Sequence, residues 1–214
     1  RHGWLRLTPA YSAQLAGELL DSRSSPQRVL DPFCGTGTTP LLCAERGIDA
    51  CAVDINPFLV WFATLKCSPF TRAEVQSFES AARAVTHAAT TDGATDLWTP
   101  PIHDIHKWWA PDTLRVLSRL RSAIAGAVVG KKPRTRDLLR VAFCRTLIEC
   151  ANVSFGHQSM SFRRRDDGAQ DLFPESAESR VIGAFGRACA DLVASLQERL
   201  SSAAELRILL GDSR

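Results

Sequence analysis

Hydrophobic positions along the chain change period several times, and each change marks an element. Leu15, Ala16, Leu19 and Leu20 recur at helical spacing within positions 9–20, and the serines and proline of positions 22–27 break the pattern. Arg28-Val29-Leu30-Asp31 then reads as a compact strand ending in an acid. Positions 35–47 read as a glycine turn feeding a helix that stops at Gly47, and positions 49–54 as a second strand that again ends in an acid. Strand, glycine turn, helix and strand within about 30 residues form the βαβ unit of a doubly wound parallel sheet, whose right-handed crossover brings both strand C-termini to one ligand-binding edge. Asn56 and Pro57 open another helix that runs through Trp61, Phe62 and Leu65 to Pro69.

Beyond Pro69 the pattern turns helical, with helices expected over 71–90, 112–128, 135–152 and 176–203 and no strand until Leu206-Arg207-Ile208-Leu209-Leu210. Breaks fall at Asp92-Gly93, Thr99-Pro100-Pro101, positions 130–133 and positions 163–168. The expected class is therefore α/β: an incomplete Rossmann-like sheet over 1–69, a large helical insertion over 70–203 and a third strand of the same sheet over 204–214.

Composition narrows the class. A chain of 214 residues, 45% hydrophobic and 23% charged, can bury a full core. No apolar run approaches the roughly 18 residues of a membrane span, and no signal pattern opens the sequence. Seven cysteines form no CxxC pair and sit among apolar residues, which suits free thiols in a cytoplasmic protein. The net charge of +3 is weak, but Lys131, Lys132, Arg134 and Arg136 cluster, and Arg163, Arg164 and Arg165 are consecutive. The latter run lies near Asn152, Ser154 and His157 in a polar, basic segment that also carries the aromatics Phe155 and Phe162, which makes it the candidate nucleic-acid contact.

Chemistry concentrates at the first strand end. In Asp31-Pro32-Phe33-Cys34-Gly35-Thr36-Gly37-Thr38-Thr39 the glycines permit a sharp turn and close backbone approach, and the threonines bring hydroxyls and amides to a helix N-terminus. A P-loop needs a lysine that is absent here, and Pro40 occupies the third glycine position of a dinucleotide fingerprint. Asp54 ends the next strand about 20 residues on, where a carboxylate grips ribose hydroxyls in this topology, a pairing that fits NAD and S-adenosylmethionine equally. Cys34 reads as a small side chain that fits the turn.

The segment from Asp31 to Thr39, followed by Asp54-Ile55-Asn56-Pro57, resembles the methyltransferases that modify exocyclic amines of cytosine or adenine in DNA, as in restriction-modification. It is similar, more loosely, to tRNA guanosine amino-methyltransferases. The resemblance implies S-adenosylmethionine as cofactor, held by the Asp31 to Thr39 segment, Asp54, Ile55 and Asn56. Positions 2–10 look like the family's upstream element, which carries Thr8 and Pro9 over as contacts to the methionine end. Asp212 resembles the position that reads the adenine amino group. Trp108, Trp109, the helix around Asp137 and Asn152, and Arg163 to Arg165 resemble one subgroup's helical insertion.

The same resemblance implies a catalytic Ser, Asp or Asn followed by Pro-Pro-aromatic on the strand after Asp212, and the sequence contains none; Thr99-Pro100-Pro101-Ile102 lacks both the acceptor residue and the aromatic. The expectation is a cofactor-binding part that needs a further segment or a second polypeptide to act on DNA, with RNA as the alternative partner and a non-catalytic subunit as the alternative role. His103 and His106 have no third ligand in the sequence pattern, and no metal is expected.

Overall fold

The computed structural model describes residues 1–5, 12–22, 28–91, 98–130, 132–154, 161–162, 175–197 and 204–213. The described chain divides into two compact units, the first made of Arg1–Arg72 with Ala194–Arg214 and the second of Ala73–Val193. Among the described residues no helix is long and apolar enough to cross a membrane.

The first unit is built on a parallel sheet. β1 (Arg28–Asp31), β2 (Asp49–Asp54) and β5 (Leu206–Leu210) lie in the order β1-β2-β5, and both pairings are parallel. The protein is thus α/β, with a three-stranded parallel sheet consistent with an incomplete Rossmann-like methyltransferase fold. The central strand β2 buries Ala50 and Ala52, whose small side chains leave room for close packing on the sheet. Register places Asp54 opposite Leu210, which brings the C-terminal ends of β2 and β5 together. Glu205 is held at the start of β5 by its amide, which donates to the Asp49 carboxylate at 2.7 Å.

Three helices flank these strands in sequence. α1 (Ala13–Asp21) starts at Ser12, whose hydroxyl accepts from the Gln14 amide, and it pairs with α2 (Thr38–Arg46) through a two-pronged contact of Arg46 with Asp21 at 2.9 and 3.0 Å. α2 ends where Gly47 turns left-handed at φ 71° and the Ile48 amide reaches back to the Cys43 carbonyl. α3 (Pro57–Cys67) carries proline at its first turn and is capped by Asn56, whose side-chain oxygen accepts from the Phe58 amide at 2.9 Å.

The second unit is largely helical: α4 (Arg72–Thr91), α5 (Ile105–Trp108), α6 (Pro111–Ala127), α7 (Pro133–Glu149) and most of α8 (Ala177–Leu196). Phe78, Val85, Leu117, Leu120, Leu138, Leu139, Val181, Phe185 and Leu192 fill its interior. Two departures from the sequence pattern occur here. α5 forms in the stretch after the proline pair, and β3 (Val153–Ser154) pairs antiparallel with β4 (Ser161–Phe162) where no strand was expected. Two residues are too few to show an alternating pattern, so such a strand leaves no periodic signal.

Candidate ligand site at the edge of the parallel sheet

The glycine turn between β1 and α2 is fixed by a nearly complete set of hydrogen bonds. Asp31 accepts from the Phe33 amide at 3.1 Å, the Cys34 amide donates to the Val53 carbonyl at 3.0 Å, and the Gly37 amide closes the turn on the Cys34 carbonyl at 2.8 Å. The Gly35 amide donates to one oxygen of Asp54 at 2.9 Å, while the other oxygen of Asp54 takes the Asn56 amide at the same distance. One carboxylate therefore ties the turn to the end of β2. Each of its oxygens keeps a second lone pair for a ligand hydroxyl.

The two glycines serve different needs. Gly37, at φ 76°, packs against α3 so closely that a β-carbon there would sit 2.7 Å from the Ala63 methyl. Gly35 also has positive φ, at 52°, but a β-carbon there would meet no neighbour within 4 Å among the described residues. The turn is thus pressed onto the protein at Gly37 and open toward solvent at Gly35. Among the described residues no protein group takes the Thr36 amide, which remains for a ligand. Thr38 and Thr39 begin α2, whose N-terminus has no side-chain cap, so helix amides and their positive dipole end face the same opening.

Phe33 and Ile55 project from the ends of β1 and β2 with 69% and 66% of their surfaces exposed, two apolar groups suited to a flat ring. Asp212 follows β5 two residues beyond the partner of Asp54, and the Gly211 amide donates to the Asp54 carbonyl at 3.0 Å. Asp31, Asp54 and Asp212 therefore share one edge of the sheet. Asn56 stands at that edge too, with its side-chain oxygen already engaged in capping α3. Thr8, Pro9, Lys131 and Arg163 to Arg165 lie outside the described residues.

Cys34 is not poised as a nucleophile. Burial pushes its thiol up to about 12, and the neighbouring Asp31 and Asp54 carboxylates add to the effect. Only 3% of its surface is exposed, which fits a small side chain filling the turn.

Lys66 escapes a sequence reading. It sits on α3 one turn after Phe62, on the same buried helix face, and its side chain is 1% exposed. Its ammonium donates to the Thr36 carbonyl at 2.8 Å, reaching the turn from the interior, and desolvation pushes it down to about 8. A lone lysine in the apolar stretch Phe62-Ala63-Thr64-Leu65-Lys66-Cys67 is the only trace of this in the sequence. Arg1 is also buried, and its guanidinium donates to the carbonyls of Lys66 and Ser68 at 3.1 and 2.5 Å, closing the end of α3.

The other candidates resolve into local partners. In the second unit a half-open cavity of about 520 Å³ is lined by His106, Thr113, Glu149, Asn152 and Arg180 among others, but its charged groups already have partners: Arg180 bonds the Thr113 hydroxyl, and Glu149 pairs with Arg187 at 2.6 Å. Trp109 donates to the Leu147 carbonyl at 3.0 Å, and Trp108 meets Phe162 edge-on at 5.4 Å. Arg134 pairs with Glu74, and Arg136 shares Asp137 with Arg140, so two arginines of the basic cluster have carboxylate partners. His103 contacts Asp104 at 3.5 Å, and no metal-holding group of His, Cys, Asp and Glu occurs among the described residues.

Comparison with known proteins finds local relatives. The chain is 36% identical over 58 residues to the type II methyltransferase M.BsoBI of Geobacillus stearothermophilus, a match covering 26% of this chain and 11% of that protein. It is 32% identical over 59 residues to M.AvaI of Nostoc sp., covering 27% and 12% respectively. It is 34% identical over 102 residues to the magnesium-protoporphyrin O-methyltransferase of Rhodobacter capsulatus, covering 48% and 43%. The chain thus spans about a tenth of the two type II methyltransferases and less than half of the third relative. No family model matches, and no solved structure does. Across these stretches the chain is related to methyltransferases, in agreement with its parallel sheet and glycine turn.

Proposed function

We propose that this chain carries the S-adenosylmethionine site of a methyltransferase that acts on an exocyclic amino group of cytosine or adenine in DNA. The observation that carries the reading is the carboxylate-rimmed glycine turn, with Gly35 open to solvent between Asp31 and Asp54. A dinucleotide brings a doubly charged pyrophosphate, which such a rim repels, and the adjacent lysine is buried against Thr36. A sulfonium cation is attracted by the same rim. In this reading the Thr36 amide and the start of α2 receive the amino-acid end of the cofactor. Asp54 takes the ribose hydroxyls, Phe33 and Ile55 flank the adenine, and Asp212 meets its amino group. Asp31, Cys34, Gly35, Gly37, Thr38, Thr39 and Asn56 shape the cradle, and Thr8 and Pro9 extend it. The cofactor supplies an electrophilic methyl group when bound.

The acceptor half belongs, in this proposal, to residues beyond this sequence, on a further segment or on a second polypeptide docking beside β1. A Pro-Pro-aromatic element there holds the amine and stacks on an extruded base. The exposed edge supports this: among the described residues β1 pairs only with β2, and Leu30 leaves 68% of its surface uncovered. Arg163 to Arg165 are proposed as phosphate contacts.

A second reading, a small-molecule O-methyltransferase, is favoured by one observation, the longer stretch matched to the protoporphyrin enzyme. Titration calorimetry of S-adenosylmethionine into the chain tests the cofactor, and a folded chain that binds none overturns the proposal. Transfer of a tritiated methyl group is then assayed with the whole protein on DNA, structured RNA and magnesium protoporphyrin. The proposal expects incorporation into DNA; incorporation into RNA or the porphyrin alone replaces its acceptor assignment.

A further inference from the structure

We propose that Lys66 is a positioning residue for the glycine turn, its charged ammonium holding the Thr36 carbonyl from the interior so that the Thr36 amide and the open side of Gly35 stay presented to the ligand. The inference rests on the reading of this edge as a cofactor site. The Cys34 and Gly37 amides of the turn are held by backbone carbonyls and the Gly35 amide by Asp54, and the Thr36 carbonyl is held by Lys66 alone among the described residues. A trans peptide is rigid, so Lys66 on the Thr36 carbonyl and the Cys34 carbonyl on the Gly37 amide hold the two ends of one peptide plane and with it the course of the turn. Gly35 and Gly37 both occupy left-handed φ, and with a permissive residue on each side of Thr36 the turn depends on its hydrogen bonds, that of Lys66 included, for its shape.

Charge is what makes the hold strong, because an ionised ammonium donates a hydrogen bond roughly twice as strong as a neutral donor does. The ammonium is fully enclosed and has no carboxylate bonded to it among the described residues. Burial pushes its titration down to about 8, so the hold weakens as pH rises through that value. The groups that face it behave otherwise. Cys34 of the turn and Cys67 on the same helix are both pushed up to about 12 and stay neutral. Glu45 of α2 is held below the usual carboxylate range by its hydrogen bond with His2. Arg1, bonded to the Lys66 carbonyl, stays charged throughout.

The test uses the full chain labelled with ¹⁵N. In the wild type the amide signals of Gly35, Thr36 and Gly37 shift with a midpoint near pH 8, and in Lys66→Met and Lys66→Arg they do not. Calorimetry with S-adenosylmethionine from about pH 6.5 to about 9.5 gives the second readout. Wild-type affinity falls roughly tenfold more than that of Lys66→Met, which retains only the titration of the ligand's own amino group as background. Lys66→Arg, charged at every pH, keeps its affinity at the alkaline end. Flat wild-type amide signals across pH 8, or equal affinity of wild type and Lys66→Met at neutral pH, overturns the proposal. If the wild type binds no S-adenosylmethionine, the cofactor reading fails while the amide titration still decides whether Lys66 holds the turn. If Lys66→Met does not fold, the wild-type titration and Lys66→Arg decide.

Discussion

The Gly35 amide and the Asp54 carboxylate lie 2.9 Å apart, which makes the turn after β1 and the end of β2 a single hydrogen-bonded unit. The same carboxylate holds the Asn56 amide at the start of α3. Any ligand that engages Asp54 is therefore read by two strand ends and a helix entry at once.

Asp54→Ala leaves the Gly35 and Asn56 amides without their acceptor, which is expected to cost about 1–3 kcal/mol of stability. Asp54→Asn keeps one oxygen and is expected to cost less, while still weakening S-adenosylmethionine through removal of the charge. Urea unfolding beside calorimetry checks both, and equal affinity for wild type and Asp54→Asn would show that the carboxylate charge plays no part in binding.

Gly37→Ala forces a methyl to within 2.7 Å of Ala63 at a left-handed φ, and its cost is expected to reach about 2–4 kcal/mol from overpacking and backbone strain together. Gly35→Ala meets no neighbour among the described residues and bears only the strain, about 1–2 kcal/mol. Its larger effect is expected on ligand affinity, because the new methyl occupies the open side of the turn. Denaturation midpoints of the two variants should separate in that order.

Stability is expected to pass through a maximum between about pH 8 and 9. Lys66 is charged in both states below about 8; from there to 10.5 the folded chain sheds a proton that the unfolded chain keeps, so stability rises. The thiols act in the opposite sense. Cys34, Cys67 and Cys189 are pushed up to about 12 and Cys43 to about 11, all by burial, from an ordinary value of 9.0. Above that ordinary value the unfolded chain therefore releases protons that the folded chain retains, and stability falls. Urea midpoints in reducing buffer map the profile, in which Lys66→Met lacks the initial rise; a continued rise past pH 9 would contradict the thiol assignment.

Leu30→Arg places a charge on the exposed β1 edge. The isolated chain is expected to become more soluble and no less stable, and its association with any completing segment to weaken. Sedimentation of the variant with and without that segment measures this.

Replacing Arg163, Arg164 and Arg165 together by alanine is expected to lower the salt dependence of DNA binding in the whole protein, by up to about one unit of slope for each phosphate that is no longer neutralised. An unchanged slope would remove these residues from the interface.

Much of the fold is written locally. The four residues of β1, the six of β2 and the five of β5 follow directly from short apolar runs bounded by turn residues and acids. The start of α3 follows from Asn56-Pro57, and the end of α2 from Gly47. These signals survive in one dimension because strand alternation, capping and positive φ are properties of adjacent residues. The acids at both strand ends and the glycine turn between them were legible for the same reason, since a parallel crossover leaves strand C-termini on one edge whatever packs elsewhere.

Residue pattern alone thus settles the parallel α/β plan and the place of the glycine turn within it. Tertiary structure alone decided how that turn is held. Asp54 commits both oxygens to the backbone, Gly37 is pinned against Ala63, and Lys66 reaches thirty residues back to Thr36. None of these follows from periodicity or propensity, because which carbonyl a buried lysine meets, and how far its charge is desolvated, depends on the packing of helices and turn that are distant in sequence.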